Sequence, residues 1–123
     1  MPHRIMIVED EAILALDLSW LLVDAGYEVA GIARTMHAAL RLAAKGSVDL
    51  ATMDIRLAGG TNGVETALKL WQDHEVRCLF VSASLDEETK CQAQPAQPIG
   101  FVEKPIREQE IIASLNAHFS RAT

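Results

Sequence analysis

Short apolar runs alternate along the chain with segments whose apolar residues recur at helical spacing. The runs have the length of buried strands and occupy residues 4–8, 28–33, 48–55, 77–83 and 99–104. Parallel strands need long crossover connections, which helices usually supply. The alternation therefore predicts an α/β fold in which a parallel sheet carries helices on both faces.

Helical spacing and capping residues locate the crossover helices. The predicted apolar stripes are Met36, Ala39, Leu40, Ala43 and Ala44, then Val64, Ala67, Leu68 and Trp71, and finally Ile111, Ile112, Leu115 and Phe119. The predicted caps are Thr35, the pairs Asn62–Glu65 and Ser84–Glu87, and the C-terminal glycines Gly26 and Gly46. The segment DEETKCQAQPAQP (86–98) has almost no apolar face and contains two prolines, so we expect a fourth helix that is short or mobile.

The first helical segment, EAILALDLSWLLVDAG (11–26), carries two apolar stripes. At about 100° per residue, one stripe is expected to face the sheet and contains Leu14, Leu18, Leu21, Leu22 and Ala25. The other lies almost opposite and contains Ile13, Leu16, Trp20 and Val23. Two interpretations stay open at this point. Either the C-terminal helix with Phe119 covers this second stripe, or the stripe is an exposed surface for a partner or a second copy.

Composition limits the classes of protein to consider. The chain has 123 residues, half of them hydrophobic, which suits one domain (1–123) with its own core. A net charge of −6 argues against nucleic-acid binding by this domain. No apolar run approaches the about 18 residues of a membrane span, and residues 1–10 lack a signal-peptide pattern, so we expect a cytoplasmic protein. Cys78 and Cys91 match no metal-ligand spacing and are expected to be reduced thiols.

Charged and polar residues follow the apolar runs at their carboxyl ends. Glu9 and Asp10 follow the first run, while Asp54, Ser82 and Lys104 mark the ends of the third, fourth and fifth. The carboxyl ends of parallel strands meet at one edge of a sheet, so these side chains should converge. Oxygen ligands of this kind suit a hard divalent cation, and Mg²⁺ would relieve the repulsion among the carboxylates.

Four motifs in this order resemble those of a response-regulator receiver domain, the phosphoacceptor module of two-component signalling. They are VEDE (8–11), MDIRL (53–57), VSAS (81–84) and FVEKP (101–105). The resemblance covers essentially the whole chain and is to the single-domain, chemotaxis-regulator type. It implies a flavodoxin-like, doubly wound sheet of five strands in the order 2-1-3-4-5.

The resemblance also implies roles at the predicted site. Asp54 would accept a phosphoryl group from a sensor histidine kinase or a histidine phosphotransfer protein, and Lys104, before a cis Pro105, would pair with the phosphoryl oxygens. Ser82 would hydrogen-bond the same oxygens, and Phe101 would change rotamer with it. The Mg²⁺ ligands would be Glu9, Asp10, Asp54 and the backbone carbonyl of Arg56.

The loop after Asp54 departs from the family pattern. It reads IRLAGGTNG (55–63), which puts Gly63 nine positions after Asp54, one more than is common. Ala58 stands where proline is usual, and Gly59 with Gly60 makes the geometry of the loop hard to predict.

Three functional classes fit these features. The first is a single-domain regulator that signals to a downstream protein by contact, and a start at Met1 with an end just after the last predicted helix favours it. The second is the receiver part of a longer regulator with an effector domain such as a DNA-binding domain. The third is a pseudo-receiver that acts without phosphorylation. No additional general base is evident, so we expect no enzymatic activity beyond the domain's own phosphorylation and dephosphorylation.

Overall fold

The computed structural model of the chain describes residues 2–121 and contains one parallel five-stranded sheet. The strands are β1 (Arg4–Val8), β2 (Glu28–Ala33), β3 (Leu50–Met53), β4 (Cys78–Ser82) and β5 (Gly100–Glu103). They are ordered β2-β1-β3-β4-β5. The predicted fold class and strand order are therefore confirmed. The third, fourth and fifth strands are shorter than their apolar runs.

The helices are α1 (Ala12–Asp24), α2 (Met36–Ala44), α3 (Gly63–His74), α4 (Glu87–Ala93) and α5 (Glu108–Arg121). Two 3₁₀ turns, Ala58–Gly60 and Gln94–Ala96, lie in the loop before α3 and directly after α4. The fourth helix is only seven residues long, as its sequence predicts. No helix within residues 2–121 is both long and apolar enough to cross a membrane.

Both faces of the sheet are covered by helices, which gives the fold two hydrophobic cores. One core packs α1 and α5 on the sheet and includes Ile5, Ile7, Leu18, Leu22, Ile111 and Leu115. The other packs α2, α3 and α4 on the opposite face and includes Met6, Val8, Ala39, Ala67, Leu70 and Ala93. Because β1, β3 and β4 lie in the middle of the sheet, they are buried over nearly their whole length. This rigid centre fixes the residues that follow these three strands.

Most predicted caps are present, with one correction. The Thr35 side chain accepts a hydrogen bond from the backbone N–H of Ala38, and Asn62 accepts from Val64 and Glu65. At α4 the predicted Ser84–Glu87 pair is wrong, because Asp86 caps the helix by accepting from the N–H of Thr89. The chain enters this helix two residues later than the prediction assumed.

Trp71 is also placed differently from its prediction. The buried face of α3 consists of Gly63, Val64, Thr66, Ala67 and Leu70, whereas Trp71 is only partly buried. The face of α3 that packs on the core is therefore shifted from the predicted one and includes Thr66 and Leu70. Val64 and Ala67 are the members of the predicted stripe that are fully enclosed.

The two stripes of α1 separate as the sequence predicts. Leu18 and Leu22 are buried, and Leu21 with Ala25 packs against the same core. The second stripe is open to solvent, with exposed fractions of 79% for Ile13, 55% for Leu16, 72% for Trp20 and 56% for Val23.

The C-terminal helix does not cover this second stripe. The Phe119 ring stacks on His3, with ring centroids 3.9 Å apart, and lies 5.7 Å from the Tyr27 ring. Phe119 is thus directed at the amino-terminal edge of the sheet, and the interpretation in which it shields the outer face of α1 is wrong.

Candidate functional site

The carboxyl edge of the sheet collects the side chains that the sequence singled out. Glu9 follows β1, Asp54 follows β3, Ser82 ends β4 and Lys104 follows β5. Glu9, Asp54 and Ser82 are buried. Burial is unusual for the two carboxylates, and a buried carboxylate requires a partner. The convergence rests on strand order, because β3 lies between β1 and β4 and carries Asp54 to the middle of the edge.

Lys104 is the partner that these carboxylates share. Its Nζ lies 3.0 Å from Glu9 Oε1 and 3.0 Å from Asp54 Oδ2, and 3.6 Å from Glu11 Oε1. The Lys104–Pro105 peptide bond is cis, and the backbone N–H of Lys104 donates to the Ser82 carbonyl. The Lys104 ammonium donates a hydrogen bond to Asp54 Oδ2.

The two buried carboxylates differ in proton affinity. Burial raises the pKa of Glu9 to about 7, against the opposing effects of the Lys104 and Glu11 hydrogen bonds. Burial also acts to raise the pKa of Asp54, but hydrogen bonds from Ser82 and Lys104 and the Lys104 charge outweigh it and lower this pKa overall. For Lys104 itself, burial is likewise outweighed, and its pKa is raised by Glu9 and Asp54. Asp54 is thus the carboxylate that stays ionised, as a nucleophile must.

The loop after Asp54 is folded tightly onto the backbone of Asp54. Gly63 donates its N–H to the Ile55 carbonyl at 2.6 Å, and Arg56 forms an antiparallel bridge with Asn62. A Cβ atom at Gly63 would come within 1.8 Å of the Asp54 carbonyl oxygen, so no other residue fits there. The loop contains the 3₁₀ turn Ala58–Gly60, in which Gly59 and Gly60 have positive φ of 77° and 72°.

A cavity of about 310 Å³ opens in front of Asp54. Its walls include Asp10, Arg56, Ser82, Ala83 and Lys104. Each side chain that the sequence assigned to phosphoryl transfer therefore faces one space that could hold a small anion. Arg56 is exposed at the mouth of this cavity.

The acidic groups at this edge have the chemistry of a Mg²⁺ site. Carboxylate oxygens of Glu9, Glu11 and Asp54 lie within 4.8 Å of one another, and Mg²⁺ is usually bound by one or two carboxylates together with waters and phosphate oxygens. Asp10 lines the neighbouring wall of the cavity. The donor set fits the ion, and the assignment of Glu9, Asp10, Asp54 and the Arg56 carbonyl as its ligands stays a prediction.

Phe101 connects the site to the surface of α4. Its ring stacks on Phe80 with centroids 5.4 Å apart, and the Lys90 ammonium lies 5.7 Å from its centroid. Ser82 and Phe101 lie on neighbouring strands, since β4 pairs with β5. In this register Phe101 pairs with Phe80, and Ser82 pairs with Glu103.

Sequence reasoning missed two contacts of this region. Glu11 belongs to the VEDE motif, but the sequence assigns it no role at the site, although its carboxylate lies 3.6 Å from the Lys104 ammonium. Lys90 was not connected with Phe101 at all. The acidic run at 9–11 was the only signal for the first, and an i to i+11 pairing across a helix and a strand leaves no periodic signal for the second.

Comparison with known proteins agrees with this geometry. The family model described as the response regulator receiver domain matches residues 5–116, which is nearly the whole chain. The chain belongs to the response regulator receiver family. The predicted family resemblance is therefore confirmed, and with it the presence of a receiver domain of two-component response regulators.

Curated relatives include proteins about twice as long as this chain and one of nearly the same length. The chain is 30% identical over 117 residues to the phyllosphere-induced regulator PhyR of Methylorubrum extorquens, covering 94% of this chain and 43% of the relative. It is 27% identical to the transcriptional regulatory protein PdtaR of Mycobacterium tuberculosis (98% of this chain, 58% of the relative). The chain thus spans about half the length of these two relatives. It is also 28% identical to the chemotaxis protein CheY of Thermotoga maritima, covering 94% of this chain and 97% of CheY.

Solved structures show the same fold. The signal receiver domain of a modulated diguanylate cyclase from Desulfovibrio desulfuricans superimposes with a TM-score of 0.89 at 30% identity, covering 98% of this chain and 96% of that one. The receiver domain of PhyR from Erythrobacter litoralis gives 0.84 at 25% identity, covering 96% and 90%. These receivers support the fold from two different regulatory contexts.

Proposed function

We propose that this domain accepts a phosphoryl group on Asp54 from a sensor histidine kinase or a histidine phosphotransfer protein. The observation that carries the proposal is the ionised Asp54 carboxylate, which faces an open cavity and has the Lys104 ammonium 3.0 Å from one of its oxygens. In the reaction, an Asp54 oxygen attacks phosphorus, the bond from phosphorus to the donor histidine nitrogen breaks, and an acyl phosphate forms.

The site residues contribute charge and position rather than proton transfer. A carboxylate is a weak nucleophile, so the rate depends on alignment and on neutralising the phosphoryl oxygens. Lys104 supplies a fixed positive charge beside these oxygens, and Ser82 supplies a neutral hydroxyl donor. Bound Mg²⁺, with Glu9, Asp10, Asp54 and the Arg56 carbonyl as its proposed protein ligands, would offset the remaining negative charge.

The proposed output is a conformational switch that a protein partner reads. Ser82 would turn toward the phosphoryl group, and Phe101 would change its position between Phe80 and Lys90. Chemistry beyond the domain's own phosphorylation and dephosphorylation is not proposed. The proposed setting of this signalling is the cytoplasm.

The outer face of α1 is the proposed docking surface for the phosphodonor or for a second copy. Ile13, Leu16, Trp20 and Val23 form an exposed apolar stripe of the kind that marks an interface. Beside it lies a groove with an apolar floor and an acidic rim, formed by Leu14, Leu21 and Ile106 and by Asp17, Asp24 and Glu108. This rim favours a partner with basic residues over a second copy, which would bring the same acids.

A second candidate is that the domain serves as the receiver part of a longer regulator. This is favoured by PhyR and PdtaR, of which the chain spans only about half. In that case the switch would act on an attached effector or adaptor segment, and this domain itself would still bind no nucleic acid. A pseudo-receiver that acts without phosphorylation is less well supported, since Asp54, Ser82 and Lys104 all line the cavity.

Intact-mass measurement after incubation with acetyl phosphate and Mg²⁺ tests the proposal. We expect the protein to gain the mass of one phosphoryl group, to lose it again on standing, and to gain none when EDTA is present. A protein that stays unmodified with both acetyl phosphate and phosphoramidate would support the pseudo-receiver instead.

A further inference from the structure

Glu11 directly precedes α1, and its side chain is not used to cap the helix. It is the N-cap of α1, its side chain makes no capping hydrogen bond, and glutamate is not among the residues preferred at this position. The Glu11 carboxylate instead lies 3.6 Å from the Lys104 ammonium. Helix capping therefore does not account for the glutamate side chain at this position, which reaches the site instead.

The Lys104 ammonium has three N–H donors, and three carboxylates surround it. Asp54 and Glu9 are both buried, while the Glu11 side chain is 66% exposed. Glu9 is further fixed by the backbone N–H of Glu11, which donates to Glu9 Oε2 at 3.1 Å. The three contacts with Lys104 therefore differ in the free energy that is needed to break them.

Glu9 and Asp54 lie 3.0 Å from the Lys104 ammonium, whereas Glu11 at 3.6 Å is an ion-pair partner beyond hydrogen-bond distance. An incoming phosphoryl group must compete with these carboxylates for the ammonium. Releasing Glu9 would leave a buried carboxylate without its cation, which is costly. Releasing Glu11 returns an exposed carboxylate to water at little cost. We propose that Glu11 is a positioning residue that holds Lys104 in the resting site and competes with the phosphoryl group for it. This inference rests on the proposed phosphorylation of Asp54.

The test is the rate of phosphorylation by acetyl phosphate at saturating Mg²⁺ for Glu11→Gln and for Asp73→Asn. Asp73 is an exposed acid near the end of α3, so its variant makes the same change in net charge away from the site. We expect Glu11→Gln to react about five-fold faster, because the phosphoryl group no longer has to replace an attraction between Glu11 and Lys104, two unit charges about 4 Å apart in a largely hydrated site. Asp73→Asn should react at the wild-type rate.

A double-mutant cycle with Lys104→Gln separates competition for Lys104 from simple charge repulsion. If Glu11 acts through Lys104, Glu11→Gln should no longer accelerate the reaction in the Lys104→Gln background. The side-chain ammonium resonance of Lys104, followed by NMR, should move in Glu11→Gln and stay in place in Asp73→Asn. The resonance reports whether the contact between Glu11 and Lys104 exists in solution, and the cycle reports whether the rate depends on that contact.

Each outcome decides the inference. An equal acceleration with and without Lys104 would show that Glu11 acts by its charge alone, and the positioning role would be wrong. Equal rates for Glu11→Gln, Asp73→Asn and the wild type would also overturn it while leaving the phosphorylation of Asp54 intact. If the wild type itself gains no phosphate, the proposed function fails and this inference fails with it.

Discussion

The site edge and the outer face of α1 depart from the usual burial pattern in opposite directions. At the edge of the sheet, Glu9 and Asp54 are buried carboxylates gathered around one lysine. On α1, Ile13 and Trp20 are large apolar side chains that are more than 70% exposed. Both arrangements reverse the usual distribution of polar and apolar side chains, so residues that follow the usual distribution would give a more stable protein. Under the proposed function, this contrast has one cause: each region is a binding surface, one for a small anion and a cation and the other for a protein.

The largest effect is expected at the loop that shapes the site edge. Gly63→Ala would force a Cβ against the Asp54 carbonyl oxygen, so the loop must move or the domain must unfold. We expect a loss of about 3 kcal/mol or more in the free energy of unfolding, in the range of other strained or overpacked sites. Denaturant unfolding measures this loss.

Gly100→Ala is the matched control, because its Cβ would meet only the Leu79 side chain at 3.4 Å. This variant should lose little stability. A Gly63→Ala protein as stable as Gly100→Ala would show that the loop does not pack on Asp54 as described.

The next largest effect is expected in the way the stability of the metal-free protein depends on pH. The pKa of Glu9 is raised from 4.5 to about 7, so the folded chain holds this proton more tightly than the unfolded chain. Stability is therefore highest below about pH 4.5 for this group and falls as the pH rises to about 7, by about 3 kcal/mol in total. Asp54, with its lowered pKa, acts in the opposite sense and only below its unfolded value of 3.8.

Thermal unfolding in EDTA and in Mg²⁺ measures this dependence. Mg²⁺ should raise Tm at pH 7 by several degrees and less at pH 5, where protons already neutralise Glu9. Glu9→Gln should flatten the pH dependence of the metal-free protein. Equal Mg²⁺ shifts at the two pH values would contradict the expected competition between Mg²⁺ and protons for Glu9.

A smaller effect on stability, and a large one on binding, is expected on α1. Trp20→Glu should change the free energy of unfolding by less than about 0.5 kcal/mol, because Trp20 is 72% exposed. It should weaken phosphotransfer from a cognate kinase or break a dimer, while phosphorylation by acetyl phosphate stays intact.

Leu18→Ala, on the inner face of the same helix, is the comparison variant. Leu18 is fully enclosed, so this change should cost about 2–5 kcal/mol. If Trp20→Glu unfolds the protein as Leu18→Ala should, the two faces of α1 have been assigned the wrong way round.

The smallest effect is expected in the amide exchange rates of the 84–98 region, which includes α4. Apart from Leu85, Ala93 and Ala96, the side chains in this region are not buried, and α4 has only seven residues. Its amides should exchange faster than those of α3, and they should slow on beryllofluoride binding if this segment joins the switch. Exchange as slow as that of Val64–Trp71 in the unmodified protein would refute the expectation.

The sequence predicts the fold and the centre of the site for one physical reason. Apolar periodicity locates the strands, and parallel strands bring Glu9, Asp54 and Lys104 to one edge whatever the details of the loops. The remainder depends on side-chain reach and on exact loop paths, which periodicity does not encode. The contact of Glu11 with Lys104, the cap at Asp86 in place of Ser84 and the partial exposure of Trp71 are of this kind.

The most direct test of the central claim is to identify the residue that carries the phosphoryl group. After reaction with acetyl phosphate and Mg²⁺, borohydride reduces an acyl phosphate and marks its residue for peptide mapping by mass spectrometry. We predict a single mark, at Asp54, and no gain of phosphate in Asp54→Asn, with Asp73→Asn as the control that still reacts. A mark at Asp10 or Glu9, or an Asp54→Asn protein that still gains one phosphate, would contradict the account.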